Sequence, residues 1–328
     1  MNPLAVQFAG LALESPLVLA SGVLGTTVAS LRRVAQAGAG AVTTKSCSLA
    51  ARPGHPAPCV LPWPGGLINA VGLSNPGVEA ELEELAEYRR TCATPLFVSI
   101  FAGSADEFGR LARCVAAAQP DLIEVNVSCP NVESEFGAPF AADPEACGRV
   151  THAVKENAGA VPVSIKLSAQ CASLARMAVV CRQNGADALA AINTVGPGMW
   201  IDVGMGRPAL SNRVGGVSGP AILPIAVRAV YEIRKAVDLP IIGTGGVSCA
   251  EDALQLIMAG ADAVGVGSGV YAGGVELFGE INRGLAAFLK ERGFESLAQA
   301  KGLAHREGGP DSPLAQGQGG LKPKREAP

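Results

Sequence analysis

The chain has no C-x-x-C pair, although it carries nine cysteines in 328 residues. Their number is odd and their spacing irregular, which argues against a disulfide framework and against zinc or iron–sulfur ligation. Reduced thiols in a reducing cytosol are expected instead. Charge is scarce, at 17% of residues, and almost balanced at a net −3. With a pI near 5.7 there is no electrostatic footprint for nucleic acid or an anionic membrane. The first residues lack a basic segment, and Glu14 and Pro16 interrupt their apolar residues, so no signal peptide is expected. The uncharged stretch 15–31 is too rich in Gly, Ser and Thr for a membrane span. A G-x-G-x-x-G signature is also missing, since Gly243-Thr244-Gly245-Gly246 runs on into Val247 and Ser248. A soluble cytoplasmic protein is the expectation.

Apolar residues are plentiful, at 48%, enough for a large core. Length alone allows two domains, but α/β barrels of this size occur as one. Short β-rich runs at 16–20, 41–44, 96–100, 122–125, 162–166, 188–192, 241–243 and 263–266 alternate with helical patterns. The helical candidates include 77–90, 106–118, 144–157, 173–184, 221–237, 250–259 and 275–292. Strand–helix alternation implies a parallel sheet, and eight units imply closure into a (β/α)8 TIM barrel rather than a doubly wound open sheet.

An internal echo supports the count. Odd strands open on Pro16, Pro95, Pro162 and Pro240, where a missing N–H costs little. Most even strands follow a glycine-containing helix exit: Gly38-Ala39-Gly40, Gly185-Ala186-Asp187 and Gly260-Ala261-Asp262. Residues 1–300 are expected to form a single barrel domain and 301–328 a disordered tail, the latter being Gly-, Pro- and Lys-containing with few apolar anchors. Two connections, 46–75 and 194–219, exceed what the fold requires. They follow strands 2 and 6 at the end where barrels build active sites, so both are candidate substrate-covering insertions.

The strand ends bring chemistry together. Ser21 follows strand 1, Lys45 and Ser46 strand 2, Asn126 and Cys129 strand 4, Lys166 strand 5, and Ile192, Asn193 and Thr194 strand 6. Gly245-Gly246 and Gly267-Ser268 follow strands 7 and 8, where barrels commonly bind phosphate through backbone N–H groups. No basic residue lies in those two loops. Cys129 can serve as a base, and the neighbouring asparagines can both donate to and accept from a planar polar ligand. Lys166 and Lys45 admit a Schiff-base amine, as in a barrel lyase or aldolase, or a cation beside an electron-accepting ring. A barrel that binds a phosphorylated ligand without catalysis is a third alternative.

The segment Asn126-Val127-Ser128-Cys129-Pro130-Asn131 resembles the active-site loop of class 1 dihydroorotate dehydrogenases. The resemblance runs from Leu4 to about Leu289. It includes Leu19-Ala20-Ser21-Gly22, Thr44-Lys45-Ser46, Asn69-Ala70-Val71-Gly72-Leu73-Ser74-Asn75, Ile165-Lys166-Leu167, Ile192-Asn193-Thr194, Gly245-Gly246-Val247 and Gly267-Ser268. The stretch Gly215-Gly216-Val217-Ser218-Gly219-Pro220-Ala221-Ile222 looks most like the class 1B branch, whose catalytic chain pairs with an electron-transfer subunit.

The resemblance implies FMN-dependent oxidation of dihydroorotate to orotate in pyrimidine synthesis. Cys129 is then the base at C5, and hydride leaves C6 for the flavin. Lys45, Asn69, Asn126, Asn131, Asn193 and Thr194 hold the pyrimidine and its carboxylate, with Ala70, Val71, Gly72 and Leu73 along it. Lys166 stabilises charge at the flavin's N1 edge. Ser21, Ser46, Ile192 and Gly219 touch the flavin or its chain, Lys45 and Asn126 adjoin it, and Gly245, Gly246, Gly267 and Ser268 bind its phosphate. A subunit carrying FAD and a [2Fe–2S] cluster, passing electrons to NAD⁺, and a homodimeric core are likewise implied. A dihydropyrimidine dehydrogenase-like reaction on a related barrel is the nearest alternative. The chain departs from the family after Lys45, where Ser46-Cys47-Ser48 leads to Pro58-Cys59 in place of a threonine-rich segment ending in arginine. It departs again at Glu133-Ser134-Glu135-Phe136-Gly137, which lacks the glycine- and glutamine-containing look usual for the loop covering the substrate.

Overall fold

A computed structural model describes residues 2–128 and 140–306. The chain opens with a small hairpin, β1 (Val6–Phe8) and β2 (Leu11–Leu13). Its two-residue turn, Ala9-Gly10, has positive φ at both positions (49° and 85°), the geometry that matches strand twist in tight hairpins. Sequence patterning did not single this hairpin out. It buries Phe8 and Leu13 against Val18, Phe97, Leu122 and Ile242 in a separate core cluster.

The barrel follows: β3 (Leu17–Leu19), α1 (Val28–Gln36), β4 (Ala41–Thr43), then β5 (Val60–Trp63) and β6 (Gly66–Asn69), α2 (Val78–Thr91), β7 (Leu96–Ile100), α3 (Ala105–Ala117), β8 (Leu122–Asn126), α4 (Pro144–Asn157), β9 (Val163–Leu167), α5 (Leu174–Gln183) and β10 (Ala188–Ala191). After β10 come β11 (Val195–Gly198), β12 (Ile201–Asp202), β13 (Arg207–Pro208) and β14 (Gly215–Ser218). The chain ends with α6 (Leu223–Ala236), β15 (Ile241–Thr244), α7 (Ala250–Met258), β16 (Ala263–Val266), α8 (Gly269–Gly273) and α9 (Leu277–Arg292). Strands β3, β4, β7, β8, β9, β10, β15 and β16 close a parallel barrel in chain order. This is the expected (β/α)8 architecture. Thr27, Ser104, Asp143 and Ser173 each accept an N–H at the start of the following helix, and so fix where α1, α3, α4 and α5 begin.

The echo of the sequence has a physical basis at the N-terminal end of the barrel. Asp121, Asp187 and Asp262 each accept the first N–H of the preceding odd strand: Leu96 at 2.8 Å, Val163 at 2.7 Å and Ile241 at 2.9 Å. Their own N–H groups donate back to the carbonyls of the same three residues. Each carboxylate is also paired with a cation: Arg89 at 3.2 Å, Lys155 at 2.5 Å, and for Asp262 both Arg234 at 2.7 Å and Lys301 at 2.5 Å. In the first unit Gly40 takes the aspartate's place, because an added Cβ would lie 1.9 Å from the Ser15 carbonyl. There Ser15 Oγ accepts from Leu17 N instead.

The two long connections fold together. Strands β5 and β6 from the first and β11 and β14 from the second form one antiparallel sheet in the order β11-β14-β6-β5. Its central pairing sets Gly216 against Asn69 and Ser218 against Leu67. The hairpin β12–β13 projects beyond it and exposes Ile201, Val203 and Met205.

At the C-terminus, residues 301–306 correct the expected start of the tail. They form a 3₁₀ turn over Leu303–His305, with Leu303 buried, Gly302 N–H donating to Ile257 O, and His305 stacked on Tyr231 at 4.1 Å. Residues 307–328, the rest of the expected tail, lie outside the described residues. Among the described residues no helix is long and apolar enough to cross a membrane.

Candidate active site

A cavity of about 520 Å³ opens at the C-terminal ends of the barrel strands and is walled on one side by the insertion sheet. Nearly every strand-end residue anticipated from sequence lines it. Ser21, Lys45, Ser46, Asn126 and Lys166 come from strands β3, β4, β8 and β9 or the turns after them. Ile192, Asn193 and Thr194 follow β10, and the insertion contributes Asn69, Ala70, Val71, Gly72 and Leu73. Gly245, Gly246, Gly267 and Ser268 close the ring. Gly219 does not line it. With φ at +99° and an added Cβ 2.6 Å from Gly66 Cα, Gly219 serves the close approach of two insertion segments, and Ser218 faces the cavity in its stead. Cys129 and Asn131 lie outside the described residues; the chain reaches them from Ser128, itself a lining residue. Gln170 and Asn212 also line the wall, although nothing in the sequence singled them out.

The amides are tied into one layer. Asn193 Nδ2 donates to Asn126 Oδ1 at 3.2 Å, and Asn126 Nδ2 donates to Ser46 Oγ at 3.4 Å. Asn193 Oδ1 accepts from Thr194 N at 2.8 Å. Asn69 Nδ2 donates to Gly216 O at 3.3 Å, so its carbonyl end remains for a ligand. Ser128 donates to the Lys166 carbonyl at 3.1 Å and its N–H to Asn126 Oδ1, which fixes the start of the cysteine-bearing segment.

Among the described residues that line the cavity, the charged side chains are Lys45 and Lys166. Lys166 Nζ, almost fully buried, pairs with Glu124 at 3.4 Å. Lys45 has its pKa lowered from 10.5, first by burial and then by the charge of Lys166, with Cys59 opposing. Among the described residues Lys166 pairs with Glu124 while Lys45 forms no ion pair, so an anionic ligand would relieve the repulsion between the two lysines. Glu124 was missed in sequence, yet a glutamate inside the apolar run Leu122-Ile123-Glu124-Val125 is itself a signal, because a buried carboxylate needs a partner.

The glycines of the last two loops differ in kind. An added Cβ at Gly246 would lie 2.7 Å from Leu223 Cβ, and one at Gly245 2.9 Å from Ala226 Cβ, so packing against helix α6 demands both, as do their φ angles of +81° and +133°. At Gly267 an added Cβ would meet only Ala20 Cβ, at 3.6 Å. Packing leaves that position free, and the missing side chain keeps the cavity wall open for a group held by backbone N–H. Among the described residues no group of three or more His, Cys, Asp or Glu is placed to hold a metal ion.

Comparison with known proteins agrees with this arrangement. The family model for dihydroorotate dehydrogenase matches residues 3–289. A dihydroorotate dehydrogenase B (NAD(+)) catalytic subunit from Methanothermobacter thermautotrophicus is 45% identical over 302 residues, 92% of this chain and 98% of its own. Proteins of the same description from Methanosarcina mazei (46% over 297 residues, 90% and 93% of the two chains) and Pyrococcus horikoshii (42% over 301 residues, 92% and 97%) align as completely. With a family match over residues 3–289 and relatives aligned along nearly their whole length, the chain belongs to the dihydroorotate dehydrogenase family of oxidoreductases, and within it to the class 1B type.

Proposed function

We propose that the chain oxidises dihydroorotate to orotate, a step of pyrimidine synthesis, with FMN in the cavity and Cys129 as base. The observation that carries this reading is the meeting of Lys45, Asn69, Asn126, Lys166, Asn193 and Thr194 on one cavity whose far wall is formed by Gly245, Gly246, Gly267 and Ser268. Bound FMN supplies the acceptor for the hydride that leaves C6 of the substrate. The open wall at Gly267 and the backbone of the glycine loops fit its phosphate, and Ser21, Ser46 and Ile192 fit its ring and chain.

The chain's own residues account for the rest. Lys45 offers a charge-assisted bond to the substrate carboxylate, and burial beside Lys166 makes an anion there more welcome. The amides of Asn69, Asn126, Asn131 and Asn193, with Thr194, match the donors and acceptors of the pyrimidine without adding charge. The Cys129 thiol removes the C5 proton, its ordinary pKa of about 8.5 being better matched to neutrality than an alcohol's. Lys166 keeps a positive charge at the cavity floor, favouring electron gain by the bound ring. Its ion pair with Glu124 speaks for a fixed cation rather than a Schiff-base amine.

A partner subunit carrying FAD and a [2Fe–2S] cluster would supply the route for electrons to NAD⁺. The relatives' description as catalytic subunits of an NAD(+) enzyme supports a partner. The complex is cytoplasmic and built on a dimer of this chain, and the exposed Trp200, Ile201, Val203 and Met205 suit a covered face. Purified alone, the chain should release FMN on denaturation and oxidise dihydroorotate with an artificial dye but not with NAD⁺. Robust NADH formation by the isolated chain would sink the partner assignment, and absence of FMN would sink the cofactor.

A further inference from the structure

Glu124 and Ser99 do not line the cavity, yet they stand directly behind it. Glu124 Oε1 takes Lys166 Nζ at 3.4 Å and Ser99 Oγ at 3.0 Å. An ionised carboxylate only accepts, so the Ser99 hydroxyl donates to it. With its one proton committed, Ser99 must accept in its 2.8 Å contact with Ser46, which makes Ser46 the donor. Ser46 then has no proton left for the 3.2 Å contact with Ser21, and Ser21 donates to it. Asn126 Nδ2 points its proton at Ser46 as well. Every proton in this chain is directed toward Glu124. The carboxylate thus draws on two sources at once: the ammonium of Lys166 and a line of hydroxyls that reaches the cavity wall.

We propose that Glu124 is a positioning residue that holds Lys166 Nζ at the cavity floor and damps the positive field it presents to the electron-accepting ring, so setting that ring's reduction potential; this rests on the FMN reading above. A carboxylate behind the lysine subtracts from its field. The Ser99 donor in turn spreads the carboxylate's charge and weakens that subtraction. The sign of the effect separates tuning from simple anchoring. If Glu124 only anchored Lys166, its loss would free the lysine and act like loss of the lysine itself.

The test is a redox titration of the bound flavin in the full-length chain, followed by its visible spectrum. Glu124→Gln should raise the potential, by roughly tenfold in the two-electron equilibrium, about 30 mV. Lys166→Ala should lower it. Ser99→Ala, which keeps both charges and removes a donor from the carboxylate, should lower it by less. An unchanged or lowered potential in Glu124→Gln overturns the proposal. Should that variant fail to fold or to hold flavin, Ser99→Ala decides, and an unchanged potential there overturns it equally. A wild-type chain without flavin would instead strike the cofactor assignment itself, and is seen before any variant is compared.

Discussion

The two ends of the barrel treat charge in opposite ways. At the N-terminal end each of Asp121, Asp187 and Asp262 is matched by a cation and by two backbone bonds to the neighbouring strand. At the C-terminal end Lys166 pairs with Glu124, Lys45 forms no ion pair among the described residues, and a cavity takes the place of a packed plug. The first arrangement is complete within the chain and holds the strands in register. In the second, Lys45 is left without an ion pair among the described residues, and under the proposed function a bound anion supplies one. The proposed function therefore sits where a described charge is unpaired, and stability where each charge is paired.

Substitutions should divide along the same line. The largest effect is expected at the mouth: Cys129→Ala should slow flavin reduction by dihydroorotate about 10²- to 10⁴-fold, without changing flavin content or the melting temperature. Rapid-mixing absorbance and thermal melts check both halves, and equal reduction rates would remove Cys129 from the mechanism. At the other end, Asp262→Ala breaks a double ion pair in which Asp262 and Arg234 are mostly buried and Lys301 is exposed. It should cost about 3 kcal/mol in denaturant unfolding, while the activity of the folded fraction stays unchanged.

Lys45→Met should cross the divide in both directions. Orotate affinity, read from the flavin difference spectrum, should fall roughly 10- to 100-fold with the loss of a charge-assisted bond. The ligand-free protein should become more stable near neutral pH. A lysine whose folded pKa is lowered makes stability rise with pH, from that lowered value up to its ordinary 10.5. Removing Lys45 should flatten that rise.

A smaller effect is expected at Glu81, buried in the first turn of α2 with its pKa pushed up to about 7 by burial, against a Thr44 hydrogen bond and with help from Glu84. Between its ordinary 4.5 and about 7 the folded state keeps a proton that the unfolded chain has released, so stability falls as pH rises through that window. Glu81→Gln should remove this fall, gaining on the order of 1–2 kcal/mol at pH 8 and little at pH 4.5. Chemical denaturation at the two pH values reads the difference.

The N-terminal end was the more legible of the two in sequence. Proline opening the odd strands and Gly-Ala-Asp before even ones are local signals, each with a local cause in a strand start, a helix exit or a backbone cap. The mouth was legible as a set of residue types, because the strand ends place Lys45, Asn126, Lys166 and Asn193 on one rim once eight units are counted. Its connections were not. The pairing of Gly216 with Asn69 joins two insertions 147 residues apart, and no local pattern encodes such a register. The three-residue strands β1 and β2 are too short for alternation to show. Glu124 escaped notice because its strand reads as apolar, and its partners Ser99 and Lys166 belong to the strands on either side, β7 and β9.

Anaerobic addition of dihydroorotate to the purified chain tests most directly whether FMN and dihydroorotate complete the mouth. A yellow protein is expected, whose visible flavin absorbance bleaches within a turnover and returns on addition of an artificial electron acceptor. A flavin-loaded chain whose spectrum stays unchanged with excess dihydroorotate would contradict the proposed function.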